Sequence, residues 1–170
     1  MEALLRPVVL FAALAFAGSA NAERQPSAPA VIANAVTDCW SAVRPNSVDQ
    51  TVLQQRGWQQ GTVSNAQGTV ATPLKFFGKS GSDVMVMLTG TGETPMCSVL
   101  SRVENAAAVS SAAQAAQRAL VAADPQVKTA RSGKSIVFIS LPRIATLDAT
   151  GSKDKPAVRI VVGYQDPGKK

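Results

Sequence analysis

The sequence contains no histidine, and this excludes several familiar kinds of active site. Ser–His and Cys–His catalysis use an imidazole as the general base, and most zinc sites use histidine as a ligand. The two cysteines, Cys39 and Cys97, are too far apart in sequence for a C-x-x-C redox site. Hydrolase or transferase chemistry would therefore depend on serine, threonine, aspartate or lysine alone.

Three short segments match known functional motifs only in part. Residues 133–135, GKS, resemble the end of a phosphate-binding loop, but Lys128 stands where the first glycine is required. Residues 90–92, GTG, begin like a dinucleotide fingerprint, but Pro95 replaces its third glycine. Residues 150–153, TGSK, lie in a predicted turn, whereas a Ser–Lys nucleophile pair needs a helix. We predict no catalytic residue and no cofactor.

The carboxylates form no cluster in the sequence that would suggest a metal site. Asp83 begins a predicted central strand and Glu93 lies beyond its far end, so the two should not converge. Asp38, beside Cys39, is expected to be a surface charge. We therefore predict no metal ligand.

The loop at residues 90–95, GTGETP, is the candidate binding site. Its two glycines allow backbone conformations with positive φ, and Thr91, Glu93 and Thr94 make the loop polar. We expect it to join two central strands, and binding residues often lie on loops that a rigid scaffold presents. The simpler alternative is an ordinary hairpin connection whose glycines supply positive φ.

Trp58 is the second candidate for ligand binding, because it directly follows Gly57 at a predicted helix end. The favoured interpretation is that its ring closes the core over that helix end. The functional alternative is an exposed aromatic ring that stacks on a ligand.

The elements that would hold these residues centre on a hairpin at residues 82–103. Residues 83–88 are almost continuously apolar, which predicts a strand buried on both faces. Residues 96–103 alternate between apolar and polar side chains, which predicts a half-buried strand. Cys97 lies on its apolar side.

Three helices are predicted from apolar spacing and capping residues. Residues 30–43 place Cys39 on an apolar face, where it can meet Cys97. A capping box that starts at Ser47 predicts a short helix at residues 48–56. The longest helix should cover residues 106–123, with an N-cap just before it.

The remaining chain predicts a single α+β domain with a mainly antiparallel sheet of about five strands. One long helix should cover this sheet, next to an N-terminal helical pair, in the order α-α-β-β-β-α-β-β. Residues 59–72 are expected to be a loop, with a weak edge strand inside it as the alternative. Residues 126–133 are expected to be a loop and residues 149–156 a turn. The predicted strands are residues 74–78, 83–88, 96–103, 134–141 and 157–164.

The first 22 residues are typical of a secretory signal peptide. Residues 8–17 form an apolar block, which small residues and an A-x-A site follow, so we expect cleavage between Ala22 and Glu23. The alternative is an uncleaved anchor, although a membrane-spanning helix needs about 20 apolar residues. Residues 23–29 would be a mobile leader and residues 30–170 the domain. The alanine-rich apolar block is typical of bacterial signal peptides, which predicts a periplasmic or secreted protein.

Export also bears on the two cysteines and on the charge. In an oxidising compartment a single pair of cysteines favours a Cys39–Cys97 disulfide, with two buried thiols as the alternative. The net charge is +6, and residues 102–170 hold eleven basic and five acidic side chains. This excess of basic side chains indicates either an ordinary solvated surface or a patch with weak, salt-sensitive affinity for anionic surfaces. No specific nucleic-acid binding is expected, and no stable membrane insertion after cleavage.

Taken together, these features favour an exported bacterial protein that acts as a non-catalytic binding or interaction module. Its partner would be a protein, another envelope component or a small ligand. The alternatives are a structural or adaptor subunit of an envelope complex, or a hydrolase or transferase without histidine.

Overall fold

An eight-stranded antiparallel sheet carries the two long helices on one of its faces. The computed structural model describes residues 25–65, 68–69, 72–89 and 94–165. Within these residues the helices are α1 (Pro29–Ala42), α2 (Gln50–Gln55) and α3 (Ala106–Ala123). The strands are β1 (Gln59–Gly61), β2 (Ser64–Asn65), β3 (Gly68–Thr69), β4 (Lys75–Lys79), β5 (Ser82–Leu88), β6 (Met96–Arg102), β7 (Lys128–Ser132), β8 (Ser135–Ser140), β9 (Arg143–Gly151) and β10 (Pro156–Tyr164).

The strands of the large sheet lie in the order β1-β4-β5-β6-β10-β9-β8-β7, and β2 pairs separately with β3. After β6 the chain passes through α3 to the far edge of the sheet, and β7 to β10 then return strand by strand to pair with β6. The predicted hairpin of β5 and β6 therefore lies near the centre of the sheet, as expected. The α+β class is confirmed.

Helix α1 is attached to the sheet by packing and by a covalent bond. Ile32 and Val36 are fully buried, and Cys39 on the same side forms a disulfide with Cys97 of β6, with 5.5 Å between the Cα atoms. The apolar spacing of α1 thus placed Cys39 toward the core correctly. Since Cys97 faces α1, the buried residues that share its face of the sheet form the core.

Helix α3 has the bounds that the sequence predicts. The side chain of Asn105 accepts a hydrogen bond from the backbone N–H of Ala108 at 3.0 Å, which caps the first turn. Ala112 and Ala116 are fully buried, and these small side chains let α3 lie close against α1. Leu120 completes the buried face of the helix.

Helix α2 begins two residues later than predicted. Val43 and Val48 form an isolated β-bridge, and the N–H of Asp49 donates to the carbonyl of Ala42 at 2.8 Å. These bonds hold the chain before Asp49 out of the helix, so Asp49, and not Ser47, is the N-cap. The predicted capping box is wrong because its first two residues, Ser47 and Val48, pair with Arg44 and Val43 in a local turn.

The sheet has more strands than the five predicted, because three segments without strong apolar patterns form strands. β1 and β7 lie at the two edges and have exposed side chains throughout, so no buried stripe marks them. β9 begins in a segment for which no element is predicted and continues into residues 149–151, which are expected to be a turn. It ends at Gly151, where φ is 79°. A β-carbon at Gly151 would collide with the carbonyl oxygen of Lys155, so only glycine fits there.

The central strand β5 is buried on one face only, in contrast to the prediction. Val84, Val86 and Leu88 are buried, whereas Met85 and Met87 between them are half-buried. The reason is that α1 and α3 both pack on the face of Cys97 and Val86. The opposite face, called the open face below, is covered by neither of these helices.

Candidate interaction surface

The open face can be followed from strand to strand through the pairing register. Residues directly opposite each other in an antiparallel pair share one face of the sheet. One row across six strands therefore consists of Phe76, Met87, Ser98, Val161, Thr146 and Val137. At a strand spacing of about 4.8 Å, six strands are about 24 Å wide.

Two further rows flank this one and extend the apolar surface. Toward one end Met96 lies opposite Gly163, and Ile144 lies opposite Ile139. Toward the other end Met85 lies opposite Leu100. The nine large apolar side chains of the open face are all half-buried: Phe76, Met85, Met87, Met96, Leu100, Val137, Ile139, Ile144 and Val161.

Methionine is concentrated on this surface. The chain has four methionines, of which one is Met1, and Met85, Met87 and Met96 all lie on the open face. A β-carbon added at Gly163 would lie 4.0 Å from the Cγ of Met96, so this side chain lies beside the glycine. Methionine side chains are flexible and adapt to differently shaped partners, and they are frequent on versatile binding surfaces.

A charged cluster borders the apolar rows on the strands β8, β9 and β10. Ser135 Oγ donates to Asp148 Oδ1 at 2.5 Å, and Arg159 donates to Asp148 Oδ2 at 3.1 Å. The bond from Ser135, followed by the bond and the charge of Arg159, holds the pKa of Asp148 below its usual value, although partial burial acts in the opposite direction. Arg159 remains about half exposed at 49% of its side-chain surface, so the cluster forms a polar rim.

The cluster does not have the properties of a nucleophilic site. A general base works best when its pKa is near the operating pH, whereas the pKa of Asp148 is lowered. A carboxylate that is also held by Arg159 is a poor acceptor for the proton of Ser135. The two hydrogen bonds fix the orientations of Ser135, Asp148 and Arg159 across β8, β9 and β10. We assign the cluster the role of holding these side chains in position.

Trp58 is buried and anchors a corner between α1 and α2. Its Nε1 donates to Asp38 Oδ2 at 2.8 Å, and Arg56 donates to Asp38 Oδ1 at 2.7 Å. Trp58 is only 3% exposed, and Lys79 Nζ lies 6.0 Å from the centre of its ring. The expected role of Trp58 in the core therefore matches the structure.

The expectation that Asp38 is a surface charge is wrong, since this residue is only 6% exposed. Both of its oxygens have protein donors, which makes its burial possible. The sequence could not show this, because the donors come from residues 18 and 20 positions further along the chain.

The predicted binding loop is described only at its ends. Thr91 and Glu93 lie outside the described residues, whereas Thr94 is described and exposed. At the base of the loop the N–H of Thr89 donates to the carbonyl of Met96 at 3.1 Å, and the N–H of Met96 donates to Thr89 Oγ1 at 3.1 Å. These bonds close the hairpin, and a binding role for the loop stays a prediction.

The predicted cleavage site at Ala22 and Glu23 also lies outside the described residues. Along the described part of the chain, no helix combines the length and apolar character needed to cross a membrane. The same part contains no group of three or more acidic or cysteine side chains that could hold a metal ion.

The sequence interpretation missed the open face, although a signal for it was present. The apolar run at residues 83–88 by itself predicts a strand buried on both faces. Yet an antiparallel sheet commonly has only one face packed on the core, so an apolar run in its central strand also fits an apolar face that no helix covers. Comparison with known proteins adds no relative: no protein-family model, no curated protein and no solved structure matches the chain.

Proposed function

We propose that this protein is an exported, non-catalytic binding module that docks an apolar protein surface on its open face. The observation that carries the proposal is the set of nine half-buried apolar side chains on a face that neither α1 nor α3 covers. Contiguous apolar patches of this kind on a folded domain mark interaction sites. The disulfide between Cys39 and Cys97 is compatible with export to a non-reducing compartment.

The shape and the composition of the face favour a protein partner over a small ligand. Small ligands bind in concave pockets that enclose most of their surface. The open face instead presents rows of side chains across six strands, a width of about 24 Å that suits an extended partner. The rim of Ser135, Asp148 and Arg159 would remain at the solvent edge of such an interface, as polar rims do.

The test is a comparison of two lysine substitutions. Met87→Lys places a charge in the middle of the open face, whereas Ser111→Lys places the same charge on the exposed side of α3. Both variants should keep a thermal midpoint close to that of the wild type, because neither site is fully buried. Mature protein immobilised on resin should capture a defined partner from envelope extract, and only Met87→Lys should lose it.

Two results would contradict the proposal. Equal capture by Met87→Lys and Ser111→Lys would place the partner elsewhere on the protein. A solution mass twice that of one chain, which Met87→Lys reduces to the monomer value, would show that the face binds a second copy of this chain. The mass is therefore measured before the capture experiment.

A further inference from the structure

The strand β7 is an edge of the large sheet, and its position makes it available for pairing. Among the strands that the structure describes, β7 hydrogen-bonds to β8 alone, since the strand order ends with β7. All five of its residues are exposed. An edge strand of this kind presents unpaired backbone groups to an extended peptide.

The turn between β7 and β8 shows which backbone groups point outward. Ser132 and Ser135 are paired across a two-residue turn in which Gly133 has a φ of 60° and Lys134 has no positive φ. Glycine at the first position is typical of a type II′ turn, whose flanking residues form a hydrogen-bonded pair. Because the bonding alternates along the strand, Thr129 and Arg131 direct their N–H and C=O groups away from β8.

A groove runs beside this edge between α3 and β7. It has a volume of about 220 Å³, and the two sides of the groove come from the helix and from the strand pair β7–β8. Ser110, Ala113, Gln114 and Gln117 of α3 line one side, and Thr129, Arg131 and Ile136 line the other. A peptide that pairs with the edge would lie along this groove and place alternate side chains into it.

The charged side chains of β7 and of the turn that follows it are all positive, and the nearest acid before them, Asp124, lies at the end of α3. Lys128, Arg131 and Lys134 are exposed, and residues 125–147 contain no aspartate or glutamate. Helix α3 contributes no acidic side chain to the opposite side of the groove. Asp148, the next acid along the chain, pairs with Arg159 on the open face.

We infer that β7 and the groove beside α3 bind an extended acidic peptide, which adds to the sheet as a further strand. The outward N–H and C=O groups of Thr129 and Arg131 would form the new ladder, and the Arg131 guanidinium would bind a peptide carboxylate. A second copy of this chain fits poorly, because pairing β7 with β7 would bring two basic strands together. This site is separate from the open face.

Fluorescence anisotropy with labelled peptides tests the inference on the mature protein. The probe is a peptide of alternating glutamate and valine, and the control is a peptide of alternating lysine and valine. Only the glutamate peptide should bind, and binding should weaken as salt is raised. Equal binding of the two peptides would overturn the inference.

Three variants, one of them a control, separate strand addition from diffuse electrostatic attraction. Thr129→Pro removes an outward N–H while leaving the bonds to β8 in place, since proline is tolerated on edge strands. Arg131→Gln removes the charge in the groove, and Arg118→Gln removes the same charge from the exposed side of α3. The first two should weaken binding by about tenfold, the usual effect of losing one strong hydrogen bond, and the third should leave it unchanged.

Further measurements keep the inference testable if Thr129→Pro folds poorly. In the wild-type protein, the glutamate peptide should slow hydrogen exchange at the amides of Thr129 and Arg131. Unchanged exchange at both amides would overturn strand addition, as would equal losses of affinity in Arg131→Gln and Arg118→Gln. Met87→Lys on the open face should bind the peptide like the wild type, so this inference and the proposed function can fail separately.

Discussion

Alternate residues of the same strands build the two faces of the sheet, and on the central strand β5 the apolar side chains of the two faces differ in kind. The covered face of β5 carries Val84 and Val86, whereas its open face carries Met85 and Met87. Valine is stiff and packs in one well-defined arrangement, and methionine is flexible and adapts. A face that must pack against one fixed helix layer benefits from stiff residues, while a face that meets a separate partner benefits from adaptable ones.

The covered face is also the only one of the two with a covalent attachment to a helix. The Cys39–Cys97 disulfide joins α1 to β6, and both cysteines are fully buried. On the described part of the open face, hydrogen bonds and an ion pair join Ser135, Asp148 and Arg159. The difference predicts that stability depends mainly on the covered face, and three experiments can break or sharpen this comparison.

The largest effect is expected from removing the disulfide. Replacing Cys39 and Cys97 together by alanine releases a loop closed over a separation of 58 residues. The chain-entropy argument gives a loss of about 4 kcal/mol in the free energy of unfolding, measured by denaturant titration. A loss below about 1 kcal/mol would show that packing alone attaches α1 to the sheet.

A matched pair of substitutions on one strand gives the next largest effect. Val162 is fully buried on the covered face, and its neighbour Val161 is half-buried on the open face. Val162→Ala should lower the free energy of unfolding by about 2 kcal/mol, from lost burial plus the cavity left behind. Val161→Ala should lower the free energy of unfolding by less than about 1 kcal/mol. Because Val161 is partly exposed, less buried apolar surface is lost and no closed cavity is left.

Denaturant titration of the two variants under identical conditions shows which face contributes more to the free energy of unfolding. Equal losses would mean that the open face is packed as tightly as the covered one. The comparison is internal, because both residues are valines on β10 and differ only in the face they occupy.

The smallest effect concerns the pH dependence of the charged cluster. The folded-state pKa of Asp148 is lowered, mainly by Ser135 and then by Arg159. Its contribution to stability is therefore complete above the unfolded-state pKa of about 4 and is lost as the pH falls through the lower folded-state pKa. The stability difference between the wild type and Asp148→Asn should be constant above about pH 5 and shrink below about pH 4.

Unfolding free energies across this range provide the measurement. Asp154→Asn, in the exposed turn between β9 and β10, controls for the loss of one carboxylate. A difference for Asp148→Asn that grows as the pH falls would reverse the assigned sign and show that the cluster does not stabilise the charged carboxylate.

Local patterns predicted the parts of the fold that depend on residues close in sequence. Helix α3 was found from its alanine spacing and its cap at Asn105, since both signals lie within a few residues of the helix. The pairing of Cys39 with Cys97 followed from the presence of only two cysteines. The strand β7 was missed because its exposed polar residues carry no apolar period, although they pair with β8 throughout.

The candidate surfaces could be predicted to a smaller extent. The loop residues Thr91 and Glu93 stay a prediction, and Trp58 was correctly placed in the core. The open face was not predicted, because a strand's apolar run does not tell which of its faces a helix will cover. The groove beside β7 was not predicted either. Its two sides, α3 and β7, follow each other in the chain, but the sequence predicts residues 126–133 to be a loop and so shows no strand beside the helix.

The sequence by itself determined the chemistry that is missing and the elements that form locally. Because the sequence has no histidine, its residues offer no imidazole for catalysis, whatever the fold. Its one pair of cysteines predicts the disulfide. The tertiary structure alone decided which side chains of β5 are buried, that Asp38 has two donors inside the protein, and that β7 forms an edge. The physical reason is that burial, strand pairing and charge compensation depend on residues far away in the chain. These residues come together only when the sheet forms and the helices pack on one of its faces.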